Sequence, residues 1–157
     1  MSPQRRLVFA LCAIFIFVSP HPVRGQDLSG SWSAEIPVRI GGGPGGETVE
    51  QTASVTLSLT QEGETVHATW QMAPLPDRPA PEPRTLHGVL RGGQLVLTDT
   101  TEAMVRRGDE PPTPVTMINT IELTLEGDRL TGYQSARSDD GMITGQRRPF
   151  TATRVRS

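Results

Sequence analysis

Beyond its first segment this chain carries two histidines, His67 and His87, and a scatter of carboxylates as its means for acid–base or metal chemistry. The two histidines fall on neighbouring segments that are expected to pair as strands. Both sit out of phase with the apolar positions around them, so their imidazoles are expected on an outer wall. Zinc needs a third and fourth ligand, and no cysteine or H-E-x-x-H spacing supplies them, so no metal site is expected. No serine, threonine or carboxylate is tied to either histidine by a recognisable catalytic motif. Glu62, Glu64, Glu126, Asp128, Asp139 and Asp140 occupy turns and outward positions, where they solvate the surface. Asp139-Asp140-Gly141 has the composition of a tight turn but lacks the spaced oxygen ligands of a calcium loop. Arg107-Gly108-Asp109 spells an integrin-type tripeptide, an accident of an arginine-rich composition. All basic side chains are arginines, so Schiff-base and amine general-base chemistry are excluded. No catalytic residues and no cofactor are expected, and the chain reads as a non-enzyme.

Binding chemistry is better represented. Trp70 and Met72 close one alternating stripe, Met117 and Asn119 open another, and Gln134 continues a third. An apolar wall with a few polar anchors is what a small-molecule cavity requires. The competing role for each residue is plain packing, since an eight-stranded barrel can be filled by its own side chains.

The elements that must position these residues follow from period-two alternation, which sends every second side chain to one face of a strand. Trp32, Ala34, Ile36, Val38 and Ile40 form the first stripe, and Val49, Ala53, Val55, Leu57 and Leu59 the second. Val66, Ala68, Trp70 and Met72 form the third, Leu86, Gly88 and Leu90 the fourth, and Leu95 and Leu97 the fifth. The sixth is long, from Val115 through Met117, Asn119, Ile121 and Leu123 to Leu125. Leu130, Gly132 and Gln134 make a seventh, and Phe150, Ala152 and Arg154 an eighth. Connections alternate in length. Gln61-Glu62-Gly63-Glu64, Gly92-Gly93 and Gly127-Asp128 are hairpin turns, whereas residues 41–46, 73–84, 106–114 and 138–144 are long. In an up-and-down arrangement all the long loops fall at one end. The sequence therefore predicts an all-β, eight-stranded antiparallel up-and-down barrel, lipocalin-like in outline, with a β-sandwich as the alternative.

Residues 1–25 read as a signal peptide. Arg5 and Arg6 precede an apolar stretch, 7–18, too short to span a bilayer, and Val23-Arg24-Gly25 offers a cleavage site. Export to the periplasm or the extracellular space is expected, with residues 26–157 as one domain and no stable membrane anchor. The only cysteine, Cys12, lies in the leader, so neither a disulfide nor a thiolate ligand is available to the domain. The formal charge of the whole chain is −2 and becomes more negative when Arg5, Arg6 and Arg24 leave, which argues against nucleic-acid binding.

Gly30-Ser31-Trp32, opening the first strand, resembles the G-x-W signature of lipocalins and the wider calycin group. In that family the tryptophan plugs the closed end of the barrel and a late arginine packs across its ring. The resemblance thus implies that Trp32 is a structural plug and that Arg154 or Arg156 covers it. It also implies a binding function at the open end. Avidin-like calycins ring their ligand with aromatic residues, whereas 26–157 holds only Trp32, Trp70, Tyr133 and Phe150, so biotin is not the expected ligand. The reading is a non-catalytic binder of a small, mainly apolar molecule at the barrel mouth, using Trp70, Met72, Met117, Asn119 and Gln134. The alternative is a protein-interaction or protease-inhibitor module that presents its long loops, including the stiff proline-rich stretch 73–84, to a protein partner.

Overall fold

Alternating side chains build eight strands: β1 (Gly30–Gly41), β2 (Thr48–Glu62), β3 (Thr65–Met72), β4 (Arg84–Arg91), β5 (Gln94–Val105), β6 (Thr113–Glu126), β7 (Arg129–Ser138) and β8 (Arg148–Arg154). In this computed structural model, residues 27–41, 48–76, 78–106 and 108–156 are described. The expected leader, the glycine-rich part of the first loop, and Arg107 of the Arg-Gly-Asp triplet lie outside them. Each strand pairs antiparallel with its neighbour in sequence, and β8 returns to β1, so the sheet is a closed eight-stranded barrel. No helix occurs among the described residues. Closure removes the exposed sheet edges that a sandwich would leave.

Turn chemistry sets which end is tight. Gly63, Gly92, Gly93 and Gly127 all take positive φ in the short hairpins, the left-handed conformation that a two-residue connection needs. Curvature is set elsewhere, at Gly88 and Gly132, both on the inward face. A Cβ at Gly132 would lie 1.9 Å from the carbonyl oxygen of Glu122, and one at Gly88 2.2 Å from that of Val96. Adjacent strands approach there more closely than any side chain permits, which lets the sheet coil into a small barrel.

The core fills the tight-turn half. Trp32, Leu57, Leu86, Leu95, Leu97 and Leu130 are fully buried, layered with Ala34, Ala68 and Ala152. Residues 27–29 fold beneath this core and seal it: Leu28 is fully buried, and the indole Nε1 of Trp32 donates to the Leu28 carbonyl at 3.0 Å. Gln61 ties the segment to the β2–β3 turn by accepting from Leu28 N–H at 2.9 Å. Arg154 lies over the Trp32 ring, 4.4 Å from its centroid, and its guanidinium donates to the Ser29 and Asp27 carbonyls. Gly30 has φ of 125°, the bend that carries the chain from beneath the barrel into β1.

At the other end the barrel opens into two arms. β1 and β2 stay paired out to Gly41↔Thr48, and β5 and β6 out to Val105↔Thr113, whereas the β1–β8 seam runs only from Trp32↔Arg154 to Ala34↔Ala152. Val49, which alternation placed on an inward stripe, is exposed because it lies on the first arm, past the end of β3.

Candidate ligand-binding site

The apolar filling stops at Trp70 and Phe150, whose rings meet at 5.5 Å between centroids with their planes tilted by 33°. Both side chains are buried, and they form a floor across the barrel. Above it lies a cavity of about 230 Å³ lined by Trp70, Arg84, Asn119, Ile121, Gln134 and Arg148, with the β7–β8 connection at its edge. Strand register explains this set. Trp70 faces Arg84 across β3–β4, Ile121 faces Gln134 across β6–β7, and Gln134 faces Arg148 across β7–β8, so these residues form one course around the wall, which the out-of-phase pair Thr120 and Ser135 joins on β6 and β7.

The wall of this course is polar and largely prearranged. Arg84 donates through Nε and Nη2 to the two carboxylate oxygens of Asp99, at 2.7 and 2.6 Å. The Asp99 side chain is only 5% exposed, so the bidentate pair satisfies a carboxylate already removed from water. Beside it Asn119 Nδ2 donates to Thr101 Oγ1 at 3.2 Å, which orients the amide and leaves its oxygen available. Both Asp99 oxygens are held by one guanidinium, an arrangement that fixes the side chain in place instead of poising it as a base.

Of the residues singled out from the sequence, Trp70, Asn119 and Gln134 come together on this cavity. Met72 packs against the core beside the β2 strand, where Val55 is its partner. Met117 is half-buried one inward position beyond Asn119, between Thr101 and Ser138. Neither methionine lines the cavity: β3 pairs with β4 only as far as Trp70, and Met117 lies one inward step further from the floor than Asn119. Trp32 and Arg154 stack at the opposite end, beneath the core. Arg84, Asp99, Ile121 and Arg148 were not anticipated. The signal for them was phase: Arg84 continues the Leu86-Gly88-Leu90 stripe and Asp99 the Leu95-Leu97 stripe, and inward alternation persists after the residues turn polar.

A second depression, a groove of about 540 Å³, runs along the outer wall of β5 to β8 past Val96, Tyr133 and Pro149. Arg147 stacks over the Tyr133 ring at 4.2 Å and donates to Glu122 at 2.7 Å. The groove is larger, but it lies on the outer wall and its Arg147–Glu122 pair is exposed, so the inner cavity, which rests on the buried Trp70 ring, has the stronger case as a binding site. His67 and His87 stand on the outer wall, exposed, on paired positions of β3 and β4. Asp139 and Asp140 form a turn in which Ser138, fully buried, donates to Asp140.

Near the base, Asp128 has its carboxyl held below the ordinary range, chiefly by the hydrogen bond from Arg156, then by the charge of Arg156 and of Arg154. Asp27 is lowered by hydrogen bonds from Ser29 and by the charge of Arg154. Comparison of the chain with protein-family models, with curated proteins and with solved structures found no match in any of the three.

Proposed function

We propose that this protein is a non-catalytic binder of a small, mainly apolar molecule carrying one polar end, held in the loop-rich mouth of the barrel after export to the periplasm or the extracellular space. The observation that carries this reading is the change of character at the Trp70–Phe150 floor. Below it the interior is filled with hydrocarbon, and above it a cavity remains whose floor is aromatic and whose wall carries Arg84, Asn119, Gln134 and Arg148. An apolar body resting on Trp70 and Ile121 is removed from water, while the polar end meets the amides and the Arg148 guanidinium at the rim. The lipocalin-like likeness of Gly30-Ser31-Trp32 accords with a ligand at this end.

Native mass spectrometry of the protein purified from its own host tests the reading. A retained small molecule is expected as added mass, and it should be lost or weakened in Trp70→Ala. An unliganded mass together with a stoichiometric co-purifying protein would overturn it.

That last outcome belongs to the second reading, a module that presents its loop-rich end to a protein partner. Met104 at the tip of one arm and Met142 in the β7–β8 connection are 66% and 70% exposed, both at this end. The proline-rich connection between β3 and β4 adds a stiff edge beside them.

A further inference from the structure

The outer wall of the barrel carries a feature independent of the mouth. His67 and His87 are direct cross-strand partners in the middle of the β3–β4 ladder, which runs from Thr65↔Val89 to Trp70↔Arg84. Their Nδ1 atoms face each other at 3.0 Å, and the rings meet edge to face at 89° with centroids 5.1 Å apart. In the metal-free pair one Nδ1–H donates to the other Nδ1, so two nitrogens converge on a single gap held by a single proton. Two nitrogen ligands at ordinary metal–imidazole distances and a right angle are about 2.9 Å apart, and at a tetrahedral angle about 3.4 Å. The observed separation therefore matches the bite of a cis, right-angled site.

We propose that His67 and His87 form a bidentate site for a late first-row divalent cation, Cu(II) binding most tightly, with water completing the coordination. The proton between the rings passes through solvent from Nδ1 to Nε2 of the donating imidazole, so that both Nδ1 lone pairs turn to the metal. Spacing alone argued against zinc because third and fourth ligands are missing, and no group of three metal-binding side chains occurs among the described residues. A tetragonal cation changes that requirement, since Cu(II) prefers right-angled nitrogens and tops the affinity order for such ligands. The scaffold suits chelation. β2 flanks the pair at Thr60 and β5 at Thr98, so both backbones are fixed from either side, and Thr98 Oγ1 donates to the His87 carbonyl. The surrounding outward positions, Thr65, Thr69 and Thr85, are exposed and uncharged, leaving the open coordination positions to solvent.

The test is a Cu(II) titration of the full chain in a weakly coordinating buffer, followed by calorimetry and electron paramagnetic resonance. One tetragonal Cu(II) per chain with two imidazole nitrogens is expected. Either His67→Ala or His87→Ala should weaken binding by at least roughly tenfold, a bound set by what losing even an outer-shell partner costs a metal site. His21→Ala, in the leader, should leave it unchanged. In wild type the paramagnetic broadening of backbone amide signals should centre on residues 65–69 and 85–89, a readout that needs no variant to fold. Equal affinity in wild type and the double alanine variant, loss of the site in His21→Ala, dependence on only one of the two histidines, or broadening centred elsewhere would each overturn the proposal.

Discussion

The two ends of this barrel are built from the same eight strands, yet they use buried side chains in opposite ways. At the closed end every inward position is hydrocarbon, and the few polar groups, the Trp32 indole N–H and the Arg154 guanidinium, are each matched to a backbone carbonyl of residues 27–29. At the mouth the inward positions turn to Arg84, Asp99, Asn119, Gln134 and Arg148, and their geometry is set by side-chain pairs such as Arg84–Asp99 and Asn119–Thr101. Burial drives the first arrangement and supplies its stability. The second holds polar groups at a cost that only their mutual pairing offsets, and it leaves space. The filled core and the open cavity are thus separated along the barrel axis.

Breaking the closed end should cost most. Trp32→Ala removes the largest fully buried side chain and leaves Arg154 without its ring, and a loss of about 3–5 kcal/mol is expected in urea unfolding. A variant as stable as wild type would dismiss the plug. Arg84→Ala probes the other end. It strands the Asp99 carboxylate, and a loss of about 2–3 kcal/mol is expected, below the roughly 3–5 kcal/mol of a fully buried broken pair because Arg84 is itself 37% exposed. Replacing both partners, with Arg84→Gln and Asp99→Asn, should recover much of that loss, and failure to recover would mean that the wall does not depend on the pair. Gly132→Ala, on the inward face between the two regions, places a methyl group against the Glu122 carbonyl, and about 1–3 kcal/mol of destabilisation is expected by thermal or urea unfolding.

The smallest effect belongs to the base. The native carboxyl of Asp128 titrates below its ordinary value of 3.8, so its contribution is complete above that value and fades as pH falls through the lowered one. Asp128→Asn should therefore be slightly less stable than wild type at about pH 7, and the difference should be smaller at about pH 2. Urea midpoints at the two pH values check the sign. A difference that grows on acidification would assign the stabilisation to another group.

Much of the architecture is legible in the sequence. Alternation located all eight strands, and the Gly92-Gly93 pair and the single glycines Gly63 and Gly127 marked the short turns that make neighbours antiparallel. The site was legible only in part. Trp70, Asn119 and Gln134 stand out as aromatic and amide groups on apolar stripes, while charged residues such as Arg84 and Asp99 read as outward unless their partner is known. Met72 and Met117 have the hydrophobicity of a cavity wall, but the height of a residue along the barrel depends on register and stagger.

By itself the sequence determined the strand period, the tight and open ends, and the phase of each side chain, because these follow from local backbone geometry and turn chemistry. Tertiary structure decided which residues meet: that Arg84 neutralises Asp99, that the filled interior stops at Trp70 and Phe150, and that His67 and His87 turn their nitrogens into one gap. Those facts depend on the relative register of strands brought together by closure, a non-local quantity that no single segment encodes.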